Sequence, residues 1–238
     1  MHCTDEVMME EYPIQTIDNL IVATIKQRRV LIDTGSPYSL GDGRLFFFLG
    51  NQYNFPTSFM GLDVSQLNQF LSTKIDILLG GDVLSKIVFM IDWDKSIIQV
   101  SSTRLEFEGV SVPAALFMDI PIIDLRVGNR NIKAFLDTGS RLSYLDPEII
   151  RNYNSIGSAS DFYPGVGQFS TSLYEIPVVF ADTTRKMTFG KLPELLQKKL
   201  MEAGTKSILG NEVFKYYKIY FCFQNKKIIL KRVTDNHV

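Results

Sequence analysis

The sequence is short of the residues that most hydrolytic and metal chemistry needs. Of 238 residues only two are histidine, His2 and His237, and only two are cysteine, Cys3 and Cys222. Neither cysteine has a second ligand-type residue at metal spacing, and a Ser-His-Asp or Cys-His centre would have to take its imidazole from a chain end. No metal and no cofactor is implied. Long hydrophobic runs are missing as well: the longest, such as "RLFFFLG" at 44–50, fall far short of a bilayer span. The first residues, "MHCTDEVMMEEYP", lack the basic-then-apolar order of a signal peptide, so the expected location is cytoplasmic, with a removed leader left open. Nor is there an excess of charge of one sign. With 25 basic and 26 acidic residues the net charge is -1, which gives no electrostatic reason to expect nucleic acid or a membrane as partner.

What is present is ordinary globular material with one unusual feature. The chain is 45% hydrophobic and 21% charged, and its length suits one large domain or two lobes of ~100 to 150 residues. The feature is an internal repeat. "RVLIDTGSPYSL" and "KAFLDTGSRLSYL" carry the same Asp-Thr-Gly-Ser turn behind an apolar strand, at Asp33 and Asp137, an offset of 137 - 33 = 104. A second pair follows in the same order: "DILLGGDVLSKIVFMIDWDKSIIQV" from Asp76 aligns with "SILGNEVFKYYKIYFCFQNKKIIL" from Ser207. In each, an apolar run enters a glycine, then an amphipathic turn, then two strand-like segments separated by a polar turn.

The inserts between these landmarks differ. Asp33 to Gly80 is 47 residues and Asp137 to Gly210 is 73, so the second half carries 73 - 47 = 26 more. Both inserts end in a helical pattern, predicted over 63–74 with Asp63 as N-cap and over 192–204 with Pro193 in the first turn. The extra length precedes the second helix. There "SDFYPGVGQFSTSLYEIPVVFADTTRKMTFG", 160–190, alternates as a strand does and breaks at 164–167 and at 181–185, which predicts a long β-hairpin with a glycine-rich tip. The first half has only 44–61 for a shorter hairpin.

Two Asp-Thr-Gly-Ser turns, each followed by an apolar-Gly element, resemble those of the bilobal aspartic peptidases of the pepsin and retropepsin superfamily, over about Ile14 to Leu230. The resemblance implies a mainly β, two-lobed acid-protease fold with a few short helices and a cleft between the lobes. It implies Asp33 and Asp137 as the catalytic pair, one from each lobe, with Thr34 and Thr138 bonding across to the opposite loop. Two carboxyls that share a proton can act as base and acid in turn, because like charges at short range do not ionise together. Gly35 and Gly139 permit the tight turn and close approach. Hydroxyls of Ser36 and Ser140 donating to the carboxylates would lower their pKa, which predicts an acidic optimum.

The segment Tyr163 to Ile176 is similar to the retropepsin flap, and Gly165 stands 165 - 137 = 28 residues past Asp137. The expected flap and substrate-binding residues are Tyr163, Gly165, Val166, Gly167 and Phe169, on the C-terminal lobe. A surface hairpin packed on its own lobe is the alternative. The expected lobes are 1–108 and 109–238, and the expected partner is an extended peptide or unfolded protein bound by strand-like backbone hydrogen bonds, with the enzyme a monomer. Two rival readings stay open: a catalytically weak or inactive peptide-binding module with the same fold, and a chain that dimerises through one lobe.

Overall fold

The computed structural model describes residues 8–59, 61–163 and 166–233. His2, Cys3, His237 and the hairpin-tip residues Pro164 and Gly165 lie outside them. The two repeats become two lobes that trace the same path. The first runs β1 (Met9–Ile17), β2 (Leu20–Ile25), β3 (Arg28–Ile32), β4 (Leu40–Gly41), β5 (Phe46–Phe48), β6 (Asn51–Tyr53), β7 (Ser58–Phe59), β8 (Leu62–Asp63), α1 (Val64–Leu67), β9 (Ile77–Leu79), α2 (Gly81–Leu84), β10 (Val88–Asp92) and β11 (Ile97–Ser101). The second runs β12 (Val110–Phe117), β13 (Ile120–Val127), β14 (Arg130–Leu136), β15 (Ser143–Tyr144), α3 (Pro147–Ile150), β16 (Gly157–Tyr163), β17 (Gly167–Phe180), β18 (Thr183–Gly190), α4 (Glu194–Leu200), β19 (Ile208–Leu209), β20 (Tyr217–Cys222) and β21 (Lys227–Arg232).

Each lobe opens with hairpins closed by two-residue turns. At Asp18-Asn19 and Met118-Asp119 both turn residues have positive φ, the geometry that matches the twist of the flanking strands. The third strand of each lobe runs into the Asp-Thr-Gly-Ser turn, and the apolar-Gly run lies parallel beside it. Val30, Leu31 and Ile32 pair with Ile77, Leu78 and Leu79; Phe135 and Leu136 pair with Ile208 and Leu209. These strands are covered on both faces, which is why they read as unbroken apolar runs rather than alternating ones. The glycine ending each run is forced by space: a Cβ at Gly80 would stand 2.6 Å from the Tyr38 carbonyl, and one at Gly210 would stand 2.6 Å from the Leu142 carbonyl oxygen.

One six-stranded antiparallel sheet, in the order β1-β11-β10-β20-β21-β12, joins the lobes. Its central pair comes from different lobes, with Phe89 opposite Phe221 and the two rings stacked at 4.4 Å. The inward face of this sheet merges with the core of both lobes, where Ile91, Ile98, Ile219, Ile228 and Leu230 are all buried. Three smaller apolar clusters lie outside it: Leu20, Val22, Leu31, Leu40, Val64, Leu67, Ile75 and Leu78 in the first lobe, Ile122, Phe135, Tyr144, Leu192, Leu196 and Ile208 in the second, and Val88, Met90, Leu105, Tyr220 and Cys222 on the shared sheet. Trp93 packs on Phe214 of the other lobe.

Two expectations, both about helices, change. The helix predicted over 63–74 ends at Leu67. Asp63 does cap it, in a reciprocal box with Gln66, but the Asn68 side chain turns back on the returning strand, donating to the Ile75 carbonyl at 3.0 Å and accepting from its N–H at 2.8 Å, a local bond that competes with helix propagation. The second helix runs over 194–200 with Pro193 as its cap, continues as a 3-10 turn to Ala203, and stops at Gly204 with φ 77. The Phe46 to Phe48 run supplies core at Phe46 and Phe48 and an exposed ring at Phe47, and no wall to the cleft described next.

Candidate active site

Both Asp-Thr-Gly-Ser turns lie at the floor of a cleft of about 650 Å³ between the lobes. The main chain holds them alike: the Asp33 N–H donates to the Leu79 carbonyl and the Asp137 N–H to Leu209, each at 3.0 Å. Thr34 and Thr138, both buried, then tie the two turns together. The Thr34 hydroxyl donates to the Leu136 carbonyl at 2.7 Å and accepts from the Thr138 N–H at 3.0 Å. The Thr138 hydroxyl donates to the Ile32 carbonyl at 2.6 Å and accepts from the Thr34 N–H at 2.9 Å. Four buried bonds, related by a twofold axis, therefore fix one turn against the other. Ser39 and Ser143 repeat at the same offset of 104 and brace the back of the site, each accepting from the N–H of the facing glycine, Gly80 at 2.9 Å and Gly210 at 3.0 Å.

The aspartates cross over. Any methyl group at Gly35 would overlap the Asp137 carboxyl, and one at Gly139 would overlap that of Asp33, so each glycine is the floor on which the opposite acid rests. Each carboxyl also accepts from the glycine N–H of its own turn, at 3.0 Å for Asp33 and 2.8 Å for Asp137. Burial pushes Asp33 up to about 6, held back by the N–H groups of Gly35 and Ser36 and by Asp137. Burial and then the charge of Asp33 raise Asp137 well above the usual carboxylate range, and Asp161 adds to this. Both carboxyls are thus raised by burial together, and a proton shared between them belongs to the pair.

The serines do something other than expected. The Ser36 hydroxyl donates to the Tyr38 carbonyl at 2.8 Å and that of Ser140 to Leu142 at 2.7 Å, so neither hydroxyl donates to a carboxylate. They stiffen the turn, and the reason for an acidic optimum that rested on them falls away.

The β16–β17 hairpin supplies Tyr163 and Gly167 to the cleft lining. Burial, then the charges of Asp137 and Asp33, push the Tyr163 phenol up, so it remains a donor at any working pH. Phe169 stands opposite Asp161 on the same face of the hairpin as Tyr163, and with Val166 it packs on the C-terminal cluster, Phe169 against Tyr144; neither lines the cleft, and Gly165 lies outside the described residues. Residues missed by sequence reasoning complete the cleft: Asp161, Phe162, Phe70, Arg141 and Lys199. Asp161 accepts from the Tyr144 hydroxyl and lies 3.7 Å from Arg141 Nε, while Arg141 Nη2 donates to the Phe70 carbonyl at 3.1 Å. The signal for Arg141 was a break in the repeat, since Pro37 holds the equivalent place in the first turn. No such signal marked Phe70 or Phe162.

The whole chain aligns with solved structures of one architecture. It matches basic 7S globulin from soybean over 98% of both chains, with a TM-score of 0.53 at 8% identity. It matches the aspartic proteinase from Irpex lacteus over 95% of this chain and 98% of that one, with a TM-score of 0.50 at 10% identity. The fold is that of the aspartic proteinases. No protein-family model and no curated protein sequence matches the chain. One of the two neighbours is named a globulin and the other a proteinase, so activity has to be argued from the site and not from the fold.

Proposed function

We propose that this protein is an aspartic endopeptidase in which water held between Asp33 and Asp137 attacks the peptide carbonyl. The observation that carries the reading is the crossed pair: two carboxyls, each resting on the other loop's glycine, locked by four buried threonine bonds at the floor of a cleft. Asp33 takes the proton from water. Asp137 gives its proton to the carbonyl oxygen, and proton return to the leaving amine completes the cycle without metal or covalent intermediate. The substrate is an extended segment of peptide or unfolded protein lying along the cleft, with the β16–β17 hairpin as a flap above it and Tyr163 as a donor toward the dyad. Because both acids belong to one chain, a monomer is sufficient.

The raised carboxyls place the working range nearer neutrality than the serines alone had suggested. Below about 6 Asp33 gains its proton and the base is lost, so activity falls on the acid side through that value. Cleavage of a denatured protein from pH 3 to 8, with Asp33→Asn and Asp137→Asn variants checked for folding, tests this. The expected result is turnover by the wild type, with an acid limb near 6, and none by either variant. A wild type that binds peptide and never cuts it makes the cleft a peptide-binding site instead.

A further inference from the structure

The outer face of the shared sheet carries a second cavity, of about 470 Å³, that has no lining residue in common with the cleft. Along β20 the side chains alternate: Ile219 and Phe221 enter the core, whereas Tyr220 and Cys222 join the separate cluster on the other face. β21 pairs with β20 so that Ile229 stands opposite Tyr220 and Lys227 opposite Cys222, which puts all four on that face. The segment 102–109, which crosses from one lobe to the other, lies over them, with Leu105 buried and the Phe107 ring stacked on Tyr220 at 5.7 Å and 11°. The cavity is the space left between this segment and the two strands.

Its charge is of one sign. Arg104 and Lys227 line it, with Thr103 and Asn225 beside them, and among the described residues no carboxylate does. Glu106 and Glu108 alternate with Leu105 and Phe107 along the crossing segment and stay out of the lining. Among the described residues the basic members of ion pairs are Arg28, Arg44, Arg141, Lys186, Lys206 and Lys218, so Arg104 and Lys227 have no acidic partner there. Two cations beside an apolar floor, with nothing to neutralise them, set up a field that favours an anion more strongly than open surface would.

We propose that this cavity binds a small carboxylic acid with an aromatic or branched apolar body. The volume falls in the usual range for small-molecule sites. The planar fork of Arg104 suits a carboxylate held by two parallel hydrogen bonds, with Lys227 as the second charge, while Phe107, Tyr220 and Ile229 cover the apolar part. A bare inorganic anion leaves those rings wet, and a neutral apolar molecule leaves both cations unpaired, so the class needs both parts. The ligand would touch the crossing segment on one side and β20 and β21 on the other, and occupancy would tie that segment to the sheet. The site owes nothing to the dyad, so the proposal goes beyond the peptidase reading and stands or falls without it.

The test is calorimetric titration of the full chain with 3-phenylpropionate and with its uncharged counterpart 3-phenylpropionamide, at low salt. The acid should bind about tenfold tighter than the amide, the worth of one charge-assisted hydrogen bond. Replacing Arg104 and Lys227 together by Gln should erase that preference and leave the amide as it was. Phe107→Ala should weaken acid and amide alike, which locates the apolar part, and Asp33→Asn, at the floor of the cleft, should change neither. No binding of the acid, equal binding of acid and amide, or a preference that survives in the double Gln variant overturns the proposal. So does binding of the acid that is lost in Asp33→Asn, which would place the acid in the cleft.

Discussion

Thr34 and Thr138 are the residues on which the candidate site depends most directly. Each hydroxyl is both donor and acceptor across the lobe boundary, and each is buried. A Val in place of Thr34 keeps the shape and leaves the Thr138 N–H and the Leu136 carbonyl without partners, so unfolding free energy should fall by about 3 kcal/mol. Ser at the same place keeps the hydroxyl and should cost under about 1 kcal/mol. Denaturant titration of both variants checks this, and equal losses would count against it. This part of the site was legible through the resemblance that the two identical turns carry, and not from their spacing alone. Ser36 was legible as a neighbour but not as a donor: its hydroxyl had a backbone carbonyl two residues on within reach, and that local partner won. Phe70, Arg141 and the adjacent Asp161 and Phe162 come from three separate stretches and meet only because the lobes face each other, so no local pattern announced them.

At the scale of elements, the two inserts show where a twofold plan is allowed to fail. The longer insert builds β16, β17 and β18 as a meander, with Tyr163 opposite Gly167 at the last pair before the tip; the shorter one yields two short ladders, β5 with β6 and β7 with β8, and Phe59 of the second leans on Tyr38 at the cleft rim. The alternation of the long hairpin was readable from sequence. What could not be read was which face of it looks inward, since Phe162, Tyr163 and Phe169 are all aromatic and a one-residue step along a strand reverses the face. The stop after α1 was hidden for a similar reason: 63–74 has helical periodicity, and Asn68 ends the helix only because Ile75 returns to meet it. Asn68 therefore sets the place of Phe70. Removing its side chain in Asn68→Ala should cost about 2 kcal/mol of stability through the two lost bonds to Ile75, read by denaturant titration. A loss under about 0.5 kcal/mol would show that this turn keeps its place without Asn68.

For the whole molecule, the six-stranded sheet decides what the lobes are. They are not beads on a linker, because β10 and β20 are hydrogen-bonded neighbours at its centre and each lobe contributes one outer half. The sequence reading left this open, since strand pairing between segments 130 residues apart leaves no trace in either one; the offset is that between Gly80 and Gly210. Among the described residues the chain passes from lobe to lobe only once, through 102–109, where Thr103, Arg104, Glu106 and Glu108 are exposed while Leu105 is buried and Phe107 stacks on Tyr220. Covalent continuity there is not what holds the halves. If a specific protease site is inserted between Arg104 and Leu105 and then cut, the product should give two bands on a denaturing gel, one peak on a sizing column, and undiminished turnover. Separation of the pieces on dilution would show that the peptide link, and not the shared sheet, had been carrying the load. A molecule held in this way can lose the connection between its halves and keep its cleft, so the integrity of its site and its integrity as a single chain are separate properties.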